Sequence, residues 1–228
     1  MSAQLPSTAL AHILVSPGHD ATTPGKRGVF LDHGEVVVRE YRTNRKVAEA
    51  LVQRLLTSGT TTRVWDPHAG VEITSGNYEW SDVSEREGPK ERVRWADRWL
   101  REIGAAPEKV LGLELHTNAA TKSSRVKGDG SSIRGAVLYP PTKRTAQWGP
   151  IAQSLVAAWK EHGPLPLFRR ALIPRDYYWN KYLDAVPMIF ELGFHTSWAD
   201  AQVHLSPDGP QAMGEAVYRG LLPHLRWG

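Results

Sequence analysis

Apolar and polar positions along this chain follow two rhythms that alternate from end to end. Short apolar runs bounded by turn residues predict strands over 13–16, 63–65, 110–115, 136–139, 177–183 and 188–192. Between them the apolar spacing turns helical. Val47, Ala48, Leu51, Val52 and Leu55 form one stripe of a helix closing near Gly59, and Ala96, Trp99, Leu100 and Ile103 mark another over 89–103, with Gly104 placed to end it. Pro150 suits the first turn of a third helix, in which Ile151, Leu155 and Trp159 share a face before His162 and Gly163 close it. A last helical stretch covers 209–225, and the Pro-rich piece 163–174 reads as a surface loop. Strand and helix in alternation predict an α/β fold: one domain over 1–228, with a mostly parallel or mixed twisted sheet of about six strands and helices on both faces.

Composition narrows the chemistry. The 228 residues are 41% hydrophobic and 23% charged, a globular balance, and 28 Lys and Arg against 24 Asp and Glu leave a net charge of +4 that leans toward anionic partners. Cysteine is absent, which excludes disulfide scaffolds, Cys-based zinc fingers, iron–sulfur clusters and thiol nucleophiles, so any metal must be held by His, Asp or Glu. The first eleven residues lack a basic segment followed by a long apolar one, and no apolar run approaches the roughly 20 residues that cross a bilayer. Synthesis in the cytoplasm without a signal peptide is the expectation.

In open α/β sheets, ligand sites gather beyond the carboxyl ends of the strands. Here the first predicted strand runs into His19, the third into Glu114 and His116, and the last into Glu191 and His195, while Glu40 opens the first long helix. Two imidazoles and one carboxylate are the ligand set of many catalytic zinc sites. Plainer explanations apply to each residue alone. Glu40 suits a helix dipole, Glu114 could face solvent or a basic partner, and Asn118 could form a turn with its own backbone. His195 is open between a supporting role and a substrate contact. His12, His33, His68, His162, His204 and His224 lack this setting and are expected at the surface or in loops.

At these residues the chain resembles the zinc-dependent N-acetylmuramoyl-L-alanine amidases of the amidase 3 type. Ile13-Leu14-Val15-Ser16-Pro17-Gly18-His19 is similar to the family's first strand with its ligand His. Glu40-Tyr41-Arg42-Thr43-Asn44-Arg45-Lys46-Val47-Ala48 is similar to the helix opened by the ligand Glu, which selects Glu40 over Glu35. Leu115-His116-Thr117-Asn118-Ala119 matches the second ligand His, and Pro187-Met188-Ile189-Phe190-Glu191-Leu192-Gly193-Phe194 resembles the final strand ending in the catalytic Glu. The chain departs from the family's usual pattern at Asp20-Ala21-Thr22-Thr23-Pro24-Gly25 and at Ser197, and keeps the ligands.

The resemblance implies a peptidoglycan hydrolase that cleaves the amide between N-acetylmuramic acid and L-alanine. It implies zinc on His19, Glu40 and His116, Glu191 as catalytic acid and base, and Asn118 as a hydrogen-bond donor beside the site; His195, by its place after the last strand, joins Asn118 as a substrate-binding candidate. A phage or prophage endolysin without a separate wall-binding domain fits best, released to the cell wall through a holin-opened membrane. A monomer is expected, with neither nucleic-acid binding nor membrane insertion. The alternative enzyme is a zinc carboxypeptidase acting on wall peptides, although such enzymes place Glu three residues after His, where this chain has Thr22. A metal-free wall-binding or nucleic-acid-binding module is favoured by charge alone, because Trp95 and Trp99 have core spacing. The Trp-rich region has no assigned role, and the apolar face of the last helix fits packing on the sheet better than a membrane surface.

Overall fold

Side-chain alternation along the central strands divides the apolar residues between two cores. The computed structural model describes residues 9–23, 25, 27–30, 36–81, 88–120 and 133–228. His33, expected at the surface or in a loop, and the first eight residues, expected to carry no export signal, lie outside the described residues. Strands β1 (His12–Ser16), β4 (Arg63–Asp66), β6 (Val110–Asn118) and β9 (Val186–Phe194) run parallel. The short edge strand β5 (Val71–Ile73) pairs antiparallel with β4, and β7 (Ala136–Tyr139), with β8 (Leu167–Leu172) parallel to it, runs antiparallel to β9. The seven-stranded order is β5-β4-β1-β6-β9-β7-β8, and β2 (Arg27–Phe30) and β3 (Val36–Arg39) form a separate antiparallel pair.

One face of the sheet presents Ile13, Val15, Leu111, Leu113, Met188 and Phe190 to the buried stripes of α1 (Glu40–Thr57), α3 (Thr145–His162) and α6 (Gly209–Leu221). The other presents Leu14, Val110, Val137, Tyr139 and Ile189 to α2 (Gly88–Glu102) and α4 (Tyr178–Tyr182). The Trp-rich region belongs to these cores. Trp65, Trp95 and Trp99 pack together in the second, with the Trp95 and Trp99 rings stacked 5.7 Å apart, while Trp80 joins the first. The last long helix buries Met213, Ala216, Val217 and Leu221 against the same core as α1 and α3, as expected of a packing helix. Among the described residues no helix is long and apolar enough to cross a membrane.

Of the six expected strands, five form. The sixth, 177–183, is the helix α4. Its aromatic residues favour a strand locally, but Trp179 lies over Gly112 and donates its indole N–H to the Gly112 carbonyl at 3.0 Å, while Asn180 donates to the Tyr139 carbonyl at 2.8 Å. These tertiary contacts override local preference. The expected surface loop at 163–174 holds β8, whose doubled pattern of apolar, exposed and apolar pairs hides strand alternation, consistent with its irregular register against β7. The third helix starts at Thr145, ahead of Pro150, because buried Trp148 anchors the added turn and donates its indole N–H to the Lys143 carbonyl at 2.8 Å. The pair β2/β3 is additional to the expected strands and buries Phe30 and Val38 against Ala201 of α5 (Trp198–Leu205).

This topology creates one crevice. The connection from β1 through α1 leads to β4 on one side, and the chain returns through α2 to β6 on the other side of β1. The carboxyl ends of β1 and β6 therefore diverge at a switch point.

Candidate metal centre

Three elements converge on that crevice. The turn after β1 supplies His19, the first residue of α1 supplies Glu40, and β6 supplies His116. One ligand-type atom from each lies within 4.8 Å of the other two. Glu40 Oε1 is 3.1 Å from His116 Nδ1 and 3.5 Å from His19 Nε2. Tetrahedral bonds of roughly 2.0–2.1 Å place neighbouring ligand atoms about 3.3 Å apart, a value these two distances bracket. The two imidazoles meet edge to face at 5.0 Å.

Local chemistry sets the orientation of each ring. Asp20 accepts hydrogen bonds from the backbone N–H and hydroxyl of both Thr22 and Thr23, at 2.7–3.0 Å. These bonds outweigh the effect of burial and hold its carboxyl below the usual range. The loop so formed presents the Thr23 carbonyl 2.9 Å from His19 Nδ1. A carbonyl only accepts, so Nδ1 carries the proton and Nε2 of the neutral ring offers its lone pair toward Glu40. Gly18 permits the turn with φ +66°, and a side chain there would meet the His116 ring.

Burial by itself would lower the His116 pKa, yet contacts with Glu114 and Glu40 raise it well above the usual value. Burial opposes ionisation of Glu40, but His116, His19 and His195 bring its pKa down to about 2. Burial lowers His19 against the attraction of Glu40. The site is thus a paired charge cluster when it holds no cation.

A cavity of about 450 Å³ opens over these groups. Its floor includes His116, Asn118, Ile189 and Glu191. The walls are Pro89 and Arg92 from α2 and Tyr177, Tyr178 and Trp179 from the start of α4. Parallel pairing of β6 and β9 sets Glu191 directly beside His116, on the same face of the sheet. Burial and the charge of Glu191 push the Tyr139 phenol up to about 12, so it remains a neutral donor near the cavity. Asn118 lines the cavity, donates to the Tyr139 hydroxyl at 3.4 Å and accepts from the Ala119 backbone at 2.7 Å. Asn118 thus combines a contact with its own backbone neighbour and a place in the cavity lining.

The structure separates the other histidines. His195 is fully buried, with Nδ1 3.1 Å from the Thr117 carbonyl, and is not among the residues that line the cavity. Of the histidines expected at the surface or in loops, His68 lies in the turn after β4 but is buried, and His204 is buried within the helix Trp198–Leu205. His204 Nε2 lies 3.1 Å from the Leu192 carbonyl, and His68 Nε2 lies 2.9 Å from Ser16 Oγ. Sequence reasoning left Glu114 open and passed over Arg92. Glu114 is buried, with a basic partner, Arg92, at 3.3 Å. The available signal was its position two residues before His116, which puts both side chains on one face of the strand.

A family model described as N-acetylmuramoyl-L-alanine amidase matches residues 13–222. No curated protein matches the chain in sequence. Among solved structures, the CwlD amidase from Clostridioides difficile, in complex with the GerS lipoprotein, has 18% identity and a TM-score of 0.65, covering 94% of this chain and 98% of that one. An N-acetylmuramoyl-L-alanine amidase from Clostridium difficile 630 has 17% identity and a TM-score of 0.66, covering 95% and 96%. AmiC2 of Nostoc punctiforme, also an N-acetylmuramoyl-L-alanine amidase, has 16% identity and a TM-score of 0.64, covering 92% and 94%. At these identities the likeness establishes a shared fold.

Proposed function

The chain belongs to the N-acetylmuramoyl-L-alanine amidase family, and from that premise we propose that it hydrolyses the amide between the lactyl group of N-acetylmuramic acid and the L-alanine of the stem peptide, with zinc held by His19, Glu40 and His116. The observation that carries this reading is the convergence of two ring nitrogens and one carboxylate oxygen in one cavity, with Glu191 in register beside His116. The donor set suits zinc, and the separations suit tetrahedral bonds. Zinc bound there supplies Lewis-acid polarisation and lowers the pKa of water to roughly 7.

The chain's own groups handle the protons. Glu191 accepts one from the attacking water as its oxygen bonds to the scissile carbon, and returns it to the nitrogen as the C–N bond breaks. The products are the lactyl carboxylate and a peptide with a free L-alanine amine. Tyr139 and Asn118, joined by their hydrogen bond, keep polar donors beside Glu191, and Tyr177 and Tyr178 offer an apolar wall to the substrate.

The carboxypeptidase alternative is not favoured. Thr22, three residues after His19, is committed to Asp20 and stands outside the candidate ligand set. Exposed Arg39, Arg42 and Lys46 lie near the start of α1, beside Glu40, and support retention on anionic wall polymers by charge. The proposed setting is host lysis by a phage or prophage enzyme acting as a monomeric catalyst on the wall. Mass spectrometry of muropeptides after digestion, with and without a chelator, tests the reaction. New peptides beginning with L-alanine that disappear with chelator are expected. Release of a terminal amino acid would identify a carboxypeptidase, and unchanged wall would leave a binding module.

A further inference from the structure

Behind His116, on the side of the ring away from Glu40, lies a second carboxylate that the proposed hydrolysis does not use. Glu114 Oε2 is 3.4 Å from His116 Nε2, while His116 Nδ1 faces Glu40 Oε1 at 3.1 Å. We propose that Glu114, clamped by Arg92, is a positioning residue that fixes the tautomer and rotation of His116 and thereby sets the affinity of the site for a divalent cation. This inference rests on the metal-binding reading of His19, Glu40 and His116.

The placement begins in the sequence of β6. Residues 114, 116 and 118 share one face of the strand, so a carboxylate two residues before His116 points the same way as the imidazole. Glu114 is only 3% exposed and Arg92 2%. Burying such a pair is expensive, and an apolar pair at these positions would be at least as stable, so stability alone is weak reason for having it. The geometry supplies a better one. Arg92 Nη2 donates to Glu114 Oε1 at 3.3 Å and to the Gly18 carbonyl at 2.8 Å. One guanidinium nitrogen therefore ties the carboxylate behind His116 to the residue that precedes His19. Ser16 adds a donor to Glu114 Oε1 at 3.4 Å and is itself 2.9 Å from His68 Nε2.

A neutral imidazole has one N–H and one lone pair. An ionised carboxylate only accepts, and the Arg92 guanidinium 3.3 Å from Glu114 Oε1 sets a cation beside it on the side away from His116. With the N–H directed at Glu114, the lone pair must be on Nδ1, the atom 3.1 Å from Glu40 Oε1. His19 has the same arrangement in a neutral form, its Nδ1 proton held by the Thr23 carbonyl. Outer partners of this type orient the ring and raise its basicity as a ligand. The two rings thus differ in kind: a carbonyl supports one, and a carboxylate with its own cation supports the other.

Zinc affinity of the full chain, measured by competition with a chromogenic chelator, tests the inference. Glu114→Gln is expected to weaken zinc binding by about 10- to 100-fold and to shift the visible spectrum of the cobalt(II)-loaded protein, with circular dichroism unchanged. Because that variant leaves Arg92 buried without its carboxylate, the double variant Glu114→Gln/Arg92→Met removes both charges and provides a second folded test, with the same loss expected. His19→Ala is the control for the premise and should lose zinc. If His19→Ala loses zinc while the folded Glu114 variants bind it within twofold of the parent, the inference is overturned and the metal site stands. If His19→Ala binds zinc as the parent does, the metal reading itself has failed and the inference falls with it.

Discussion

Gly25 stands so close to Glu40 that a side chain on it would collide with the Glu40 carboxylate, and with the ring of His19 behind it. Its φ of +68° is one that other residues adopt at a cost of about 1–2 kcal/mol. Gly25→Ala therefore strains the loop and displaces two candidate ligands together. We expect at least a tenfold fall in both zinc affinity and amidase activity, with about 1–2 kcal/mol lost in urea denaturation. Chelator competition and equilibrium unfolding on one preparation would check both.

Replacing different members of the cavity should separate holding the cation from moving the proton. His19→Ala removes a proposed ligand and should lose metal and activity together. Glu191→Gln should retain stoichiometric zinc by elemental analysis while turnover drops by about 10²- to 10⁴-fold. A Glu191→Gln enzyme with near-parental turnover would place the base elsewhere.

His68 should make the fold sensitive to mild acid. Burial, with the charge of Arg92 next, pushes its pKa to about 3 from the usual 6.5, although Glu114 and Asp20 pull the other way. Between those values the unfolded chain binds a proton that the folded chain refuses, so this contribution to stability is complete above pH 6.5 and declines as pH falls toward 3. His68→Gln keeps a hydrogen-bonding group for Ser16 and removes the titration. Thermal midpoints measured from pH 7.5 to pH 5 without added metal should fall more steeply for the parent than for His68→Gln. Parallel curves would contradict this assignment.

Asp200 pins two strand ends from a fully buried position. Its Oδ2 accepts from the Gly135 backbone at 2.7 Å and from the Phe194 backbone at 2.9 Å, tying the approach to β7 to the end of β9. Asp200→Ala leaves two buried N–H groups unmatched, at about 1–3 kcal/mol each. Urea unfolding should show a loss of about 2–6 kcal/mol, and activity should fall as well, because Glu191 lies on the strand so released.

Much of the candidate site was legible because its residues fall at the ends of apolar runs. His19, His116 and Glu191 follow or close buried strands, and Glu40 begins a helix with a clear stripe, so residue type and local pattern point to the same edge. Glu114 and Arg92 were harder to read. A carboxylate between two leucines on a strand suits either solvent or a buried partner, and an arginine in an amphipathic helix ordinarily faces water. His68, His195 and His204 were assigned or left open without knowledge of what covers them, since burial is set by elements distant in the chain.

The alternation of apolar rhythms was enough by itself to determine the α/β class, a sheet with helices on both faces and the chemical types at the strand ends. These follow from periodicity and composition, which are local properties. Only the tertiary structure decided that 177–183 coils over Gly112, that β8 forms along an edge, and that one guanidinium joins the Gly18 loop to the carboxylate behind His116. Those outcomes depend on which distant groups fill the same space and share the same hydrogen bonds, and that choice is made when the whole sheet packs.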